Sequence, residues 1–141
     1  MYTALKEKIV SRLRASEPLM RLLADAEAIY YRRPPKTREL PCLTYHLEDE
    51  PVVTAHVYGV FRVHLLLNIW SDSGDTNDAI LAALDAALYD AHRDGSLDTA
   101  QWRVASCRRV RSRVAAGGRA DDAGAEIERR ETRWVLEVRQ K

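Results

Sequence analysis

The sequence predicts an α+β fold: a mostly antiparallel sheet of four to five strands, two main helices packed on one face, and a long C-terminal β-hairpin. Three observations carry this expectation. In Val57–Trp70, the residues Val57, Phe61, Val63, Leu65, Leu67 and Ile69 share one parity, with Gly59 the only gap. Period two in β-branched and aromatic residues makes a strand with one wholly apolar face, and such a face needs helices or a second sheet to cover it. Around Leu5–Leu13 and Ile80–Leu88, apolar residues recur every four positions, which is the spacing of an amphipathic helix. Two further alternating runs close the chain, separated by a glycine- and aspartate-rich link, as in a hairpin.

The elements follow in order. Leu5, Ile9 and Leu13, with Val10 beside them, predict a helix of about three turns. Ser16 and Pro18 mark a break and restart, because serine caps a helix and proline tolerates its first turn. Leu19, Leu22 and Leu23 then form a short helical segment. Ile29–Tyr31 is a brief strand closed by Arg32-Arg33-Pro34-Pro35, where two prolines remove two backbone donors. Cys42–Glu48 alternates, with Leu43, Tyr45 and Leu47 opposite Cys42, Thr44, His46 and Glu48. Asp49-Glu50-Pro51 ends or bends this strand, Val52–Thr54 resumes it, and the main strand begins at about Val57. Close in sequence, the Cys42 and Val57 strands are most simply antiparallel.

In Ser71–Thr76, turn residues precede a helix whose free amides Asp75 or Thr76 can accept, with Asp78 suited to the positive end. Ile80, Leu84 and Leu88 with Ala83, Ala87 and Ala91 form a helix lined with small residues, so it should lie flat on the sheet. His92–Gly95 ends it, with Gly95 available for a left-handed cap. In Trp102–Val114, Trp102, Val104, Val110 and Val114 share one parity and Arg103, Arg109, Arg111 and Arg113 the other. In Glu126–Arg139, Trp134, Leu136 and Val138 oppose Arg133, Glu137 and Arg139. The hairpin arms reach past what a core requires, since Arg108–Arg113 and Glu126–Arg133 have little to bury. The link 115–124 has no apolar anchor and is expected to be a mobile tip.

At 141 residues the chain is read as one domain, 1–141, large enough to bury roughly two-thirds of its unfolded surface. Twenty-two basic and 21 acidic residues leave a net charge of +1, so no global field draws it to nucleic acid or membrane. No apolar run approaches the ~20 residues of a membrane span, and the charged, amphipathic start lacks a secretory core. The expectation is a protein that stays in the cytosol. Cys42 and Cys107 make no disulfide framework and read as small buried hydrophobes.

No constellation for catalysis stands out. His46 and His64 lie on non-core faces of neighbouring strands and can approach one another, but no third and fourth ligand accompanies them. His56 and His92 add no ligand spacing. Asp72, Asp75 and Asp78 mimic the start of a calcium loop, yet Ala83 stands where a bidentate glutamate belongs. There is no nucleophile elbow, phosphate loop or triad. The reading is of a non-enzyme with no cofactor and no metal.

One local charge anomaly remains. Thr99–Ala120 holds Arg103, Arg108, Arg109, Arg111, Arg113 and Arg119 and no acidic residue. A phosphate-contacting ribbon is one reading. Glu126, Glu128, Glu131 and Glu137 on the partner strand favour an ion-paired hairpin or a subunit interface instead.

The stretches LPCLTYHLEDEPVV and YGVFRVHLLLNIWSDSGDTNDAILAALDAAL resemble the tail-terminator, or tail-completion, proteins of long-tailed phages. A Pro-led apolar strand, a long strand ending near Ile69-Trp70-Ser71, and an immediate Ala/Leu-rich helix carry the resemblance. It implies a small α/β subunit of a homo-oligomeric ring, a hexamer, in the virion tail, assembled in the host cytoplasm. The ring would cap the tail tube, end its polymerisation, and offer a surface for head–tail joining. The implied partners are copies of itself, the tail tube protein and the head–tail connector protein, with DNA passing through the lumen and no membrane. The hairpin would then reach a neighbour, which makes Arg108, Arg109, Arg111, Arg113, Gly117, Gly118, Arg119, Glu128 and Arg130 the candidate interface residues. The alternatives are another connector or minor tail protein, or a small basic-ribbon nucleic-acid-binding module.

Overall fold

A computed structural model describes residues 2–34, 39–49, 59–115 and 127–141. The element order is α1 (Tyr2–Arg14), α2 (Glu17–Leu22), β1 (Ile29–Tyr31), β2 (Cys42–Asp49), β3 (Val60–Ser71), α3 (Gly74–Leu88), β4 (Trp102–Val114) and β5 (Glu128–Gln140). The strands form one sheet in the order β1-β2-β3-β5-β4. Strand β1 pairs with β2 in parallel, and every other pair is antiparallel. The expected α+β architecture is present.

Strand β3 carries the alternation read from the sequence. Val63, Leu65, Leu67 and Ile69 are wholly buried, and the same cluster takes in Leu5, Ile9 and Leu13 of α1 and Ile80, Leu84 and Leu88 of α3. Leu43 faces Ile69, and Leu136 faces Val63, on the same side of the sheet. Helix α1 thus covers the β1–β2 half and α3 the half formed by β3, β5 and β4. Among the described residues, the opposite face of the sheet carries no helix.

Local details depart from expectation at three places. Strand β3 begins at Val60, with Gly59 at φ +72° before it; Val57, Tyr58, His56 and Val52–Thr54 lie outside the described residues. The N-cap of α3 is Ser73, whose hydroxyl accepts from Thr76 N at 3.4 Å. Serine's short side chain reaches back over the first turn, so neither Asp75 nor Thr76 caps. Helix α3 stops at Leu88, and the chain runs through successive turns to Gly95, which takes φ +74°. Gly95 therefore turns a loop rather than ending the helix. Ser16 does cap α2, accepting from Leu19 N at 3.4 Å with Pro18 in the first turn.

The hairpin also differs from an outlying arm. Strand β5 lies between β3 and β4 over its whole length, from Glu128 opposite Ser71 to Arg139 opposite Val60. Pairing on both sides makes it an interior strand, so Glu128–Arg133 is part of the sheet and does not project. The ladder continues at Ala115, whose N–H donates to Arg129 O at 2.8 Å. The remainder of the expected tip, 116–124, lies outside the described residues. Cys42 and Cys107 are both buried thiols, not joined by a disulfide.

Candidate interaction surface

The arginines of β4 are sorted by two β-bulges. Val104 faces Val138 and Ser106 faces Glu137, leaving Ala105 as an extra residue; Arg109 faces Trp134 and Arg111 faces Arg133, leaving Val110 extra. Each extra residue reverses the parity of the strand beyond it. Val104 and Cys107 consequently share the helix-bearing face and are 1% and 4% exposed. Strict alternation had placed Val110 and Val114 with Val104, but these are 47% and 66% exposed. Cross-strand partners place Arg103, Arg108, Arg111 and Arg113 together on the helix-free face, opposite Arg139, Val135, Arg133 and Glu131. Arg109 goes the other way.

On the helix-bearing side, α3 is tied to the sheet at two points. Arg109 Nε lies 2.8 Å from Asp85 Oδ1, and its NH2 lies 3.2 Å from Oδ2. Arg130 of β5 pairs with Asp78. Asp78 and Asp85 stand two helical turns apart, on the side of α3 that faces β4 and β5. Glu128 lies against the first turn of α3, since a Cβ at Gly74 would come within 2.9 Å of its Oε2. A carboxylate there complements the positive helix end. Arg109, Arg130 and Glu128 thus hold the fold's own layers together. The β3–α3 junction adds a buried pair, Ser71 Oγ 2.7 Å from Asn77 Oδ1.

The helix-free face is populated from four strands. It carries Glu48 from β2; Arg62 from β3; Arg129, Glu131, Arg133, Glu137 and Arg139 from β5; and the four β4 arginines. Eight arginines against three glutamates give this face a formal charge of +5. The whole chain is +1, so everything else sums to −4. Glu131 accepts from Arg113 at 2.6 Å and from Arg129 at 3.1 Å, and Glu137 pairs with Arg139 at 3.1 Å. Arg133 bridges Glu48 at 3.7 Å and His64 Nδ1 at 3.0 Å, while His46 Nε2 meets Glu48 at 3.1 Å. The two histidines are thus connected through Glu48 and Arg133; among the described residues no three His, Cys, Asp or Glu groups are placed to hold a metal ion. Trp70 donates to Thr44 Oγ1 at 3.0 Å, with the Arg129 guanidinium 5.3 Å from its ring centre.

An open groove of about 670 Å³ runs between α1 and the edge of the sheet. Lys6 Nζ sits 4.0 Å over the Tyr31 ring there. Hydrogen bonding from Arg32, then from Lys6, holds the Tyr31 phenol below its usual range. Burial pushes the Cys107 thiol up to about 12, which keeps it neutral.

Of the candidate interface residues, Arg108, Arg111 and Arg113 come together on the helix-free face, while Arg109, Arg130 and Glu128 do not join them. Gly117, Gly118 and Arg119 lie outside the described residues. Reasoning from the sequence placed Arg103 on the parity of Arg111 and Arg113 but left it out of the candidate interface, as it did Arg62, Arg129, Arg133 and Arg139. The non-core parity of β5, already visible in Arg133, Glu137 and Arg139, was the signal that would have added them.

The family model described as "Tail completion protein gp17" matches residues 7–137. Among solved structures, a chain of "Virion of native gene transfer agent (GTA) particle" is 19% identical. That match covers 93% of this chain and 91% of that one, with a TM-score of 0.66; at this identity the likeness is one of fold. No curated protein matches the sequence.

Proposed function

Because the chain belongs to the tail completion protein gp17 family, we propose that it is a ring subunit that caps the tail tube, ends tube polymerisation and presents a surface for head–tail joining. It is a structural component of the virion tail. The family match over residues 7–137 carries the reading. In it, the partners are further copies of the chain, six in a closed ring, together with the tail tube protein and the head–tail connector protein. DNA passes through the lumen. The role is structural rather than catalytic.

The sheet supports a head-to-tail arrangement. Its two edges are unlike: β1 is three residues long and β4 is thirteen, bulged and rich in arginine. Contact between the β1 edge of one copy and the β4 edge of the next would be heterologous, and repeated head-to-tail contact closes into a ring when the rotation allows. Bulges and charges on β4 also discourage indiscriminate strand addition.

Native mass spectrometry and negative-stain imaging of the purified chain test the ring. The expected result is a six-fold closed assembly, at rest or on addition of tail tube protein, and shorter tubes when the chain is present during tube polymerisation. A chain that stays monomeric with tube protein and leaves tube length unchanged would overturn the proposal.

A further inference from the structure

We propose that the helix-free face of the sheet is a docking surface for the phosphate backbone of duplex DNA, with Arg103, Arg108 and Arg111 as its principal contacts. In the assembled tail this deepens the ring reading and rests on it, since it turns the sheets toward the DNA path and the helices outward. In solution it stands without the ring.

Three observations lead there. First, the face concentrates a charge of +5 in a chain whose total is +1. Second, the concentration is built by the backbone. Arg103, Arg108 and Arg111 do not share a parity, and the bulges at Ala105 and Val110 bring them to one side. Bulges re-aim side chains in this way next to functional sites. Third, those three arginines are exposed and, among the described residues, none has an acidic partner, whereas Arg113, Arg129, Arg133 and Arg139 each do.

The unpaired charge decides the occupant. A second copy presenting the same face would set +5 against +5. Its acid-rich stretch, Asp72–Asp98, is mostly committed internally. Asp78, Asp85, Asp90 and Asp94 are paired with Arg130, Arg109, Arg93 and Arg12, and Asp98 accepts from Val104 N. Duplex DNA offers one charge per ~1.7 Å of axis and no competing cation of its own. Arginine's planar fork suits phosphate oxygens, and an open sheet face suits a backbone rather than base edges.

The test is fluorescence anisotropy of a labelled short duplex with the full chain, across ~50 to ~200 mM salt. Three phosphate contacts predict a log–log slope of about −2.7, a loss of roughly 40-fold over that range. Arg108→Glu with Arg111→Glu is expected to weaken binding more than tenfold at low salt. Lys8→Glu with Arg14→Glu on α1, the same change in net charge, is expected to leave it within about twofold. Arg108→Gln with Arg111→Gln provides a neutral variant, and thermal melts confirm that each folds. Absence of binding at low salt, or equal loss in both charge-reversed pairs, would overturn the proposal. So would an Arg108/Arg111 variant that keeps its affinity while changing the oligomeric state, which would make a second copy the occupant. Failure of the ring reading is separate: it shows as a monomeric mass with DNA binding intact.

Discussion

Arg109 and Asp85 meet as a two-pronged pair, Nε to Oδ1 at 2.8 Å and NH2 to Oδ2 at 3.2 Å, linking the outermost strand of the sheet to the helix above it. The guanidinium is one residue from Arg108, which points to the other side of the sheet. Adjacent arginines therefore serve different ends: one holds the layers together, and the other belongs to the charged open face.

Replacing Arg109 with alanine is expected to cost about 0.5–1 kcal/mol, a modest figure because the pair is part-exposed and screened. A double-mutant cycle with Asp85→Ala, read by urea unfolding, should return a coupling of similar size. Zero coupling would mean that this pair adds nothing to holding the helix on the sheet. DNA affinity should be unaffected by either single change.

Leu65→Asp is expected to abolish folding. Leu65 is wholly buried at the centre of β3, and an unpaired carboxylate there has no compensating partner. Circular dichroism should show loss of the native spectrum, and a soluble variant with an unchanged melt would contradict the assigned faces.

Gly59→Ala should destabilise by about 1 kcal/mol or more. The position holds φ +72°, and an added Cβ would stand 3.1 Å from Cβ of Gln140. Gly59 O accepts from Gln140 N at 2.8 Å, so the strain falls where β3 meets the last residues of β5. A thermal melt would register it.

Alkaline pH should weaken the fold through Cys107. Burial raises its thiol from 9.0 to about 12, so the unfolded chain gives up this proton first. The stabilisation is present in full below about pH 9 and is lost as pH rises toward 12. Its slope is at most about 1.4 kcal/mol per pH unit. Cys107→Val should remove that component of the pH dependence, and iodoacetamide should label Cys107 at pH 8 only after denaturation. Rapid native labelling would show the thiol to be accessible.

Much of this architecture was legible in the amino-acid sequence, and the reasons are local. Leu65 and Leu67 announce β3 because an unbulged interior strand keeps period two over its whole length. Leu5, Ile9 and Leu13 announce α1 in the same way. The arginine face was legible only in part. A bulge cannot be read from residue parity, so Arg108 and Arg109 exchanged sides relative to expectation and Val110 moved into solvent, while Val114 kept its side opposite Arg130 and lies exposed near the end of β4. The capping serine was hidden among equally competent neighbours, since Ser73, Asp75 and Thr76 all carry acceptor side chains. The destination of Arg130 depends on Asp78, which lies 52 residues away, a distance no spacing rule connects.

Trp70 gives the charged face an optical handle. Its indole lies beneath Arg129 and is fixed to Thr44, while Trp134 is sealed in the core at 2% exposure. A ligand settling on that side would shield Trp70 from a soluble quencher and leave alone the emission of Trp134 and of Trp102, which packs against Phe61 on the helix-bearing side. Occupancy of this face can therefore be followed by the protein's intrinsic fluorescence, without attaching a dye to the very arginines under study.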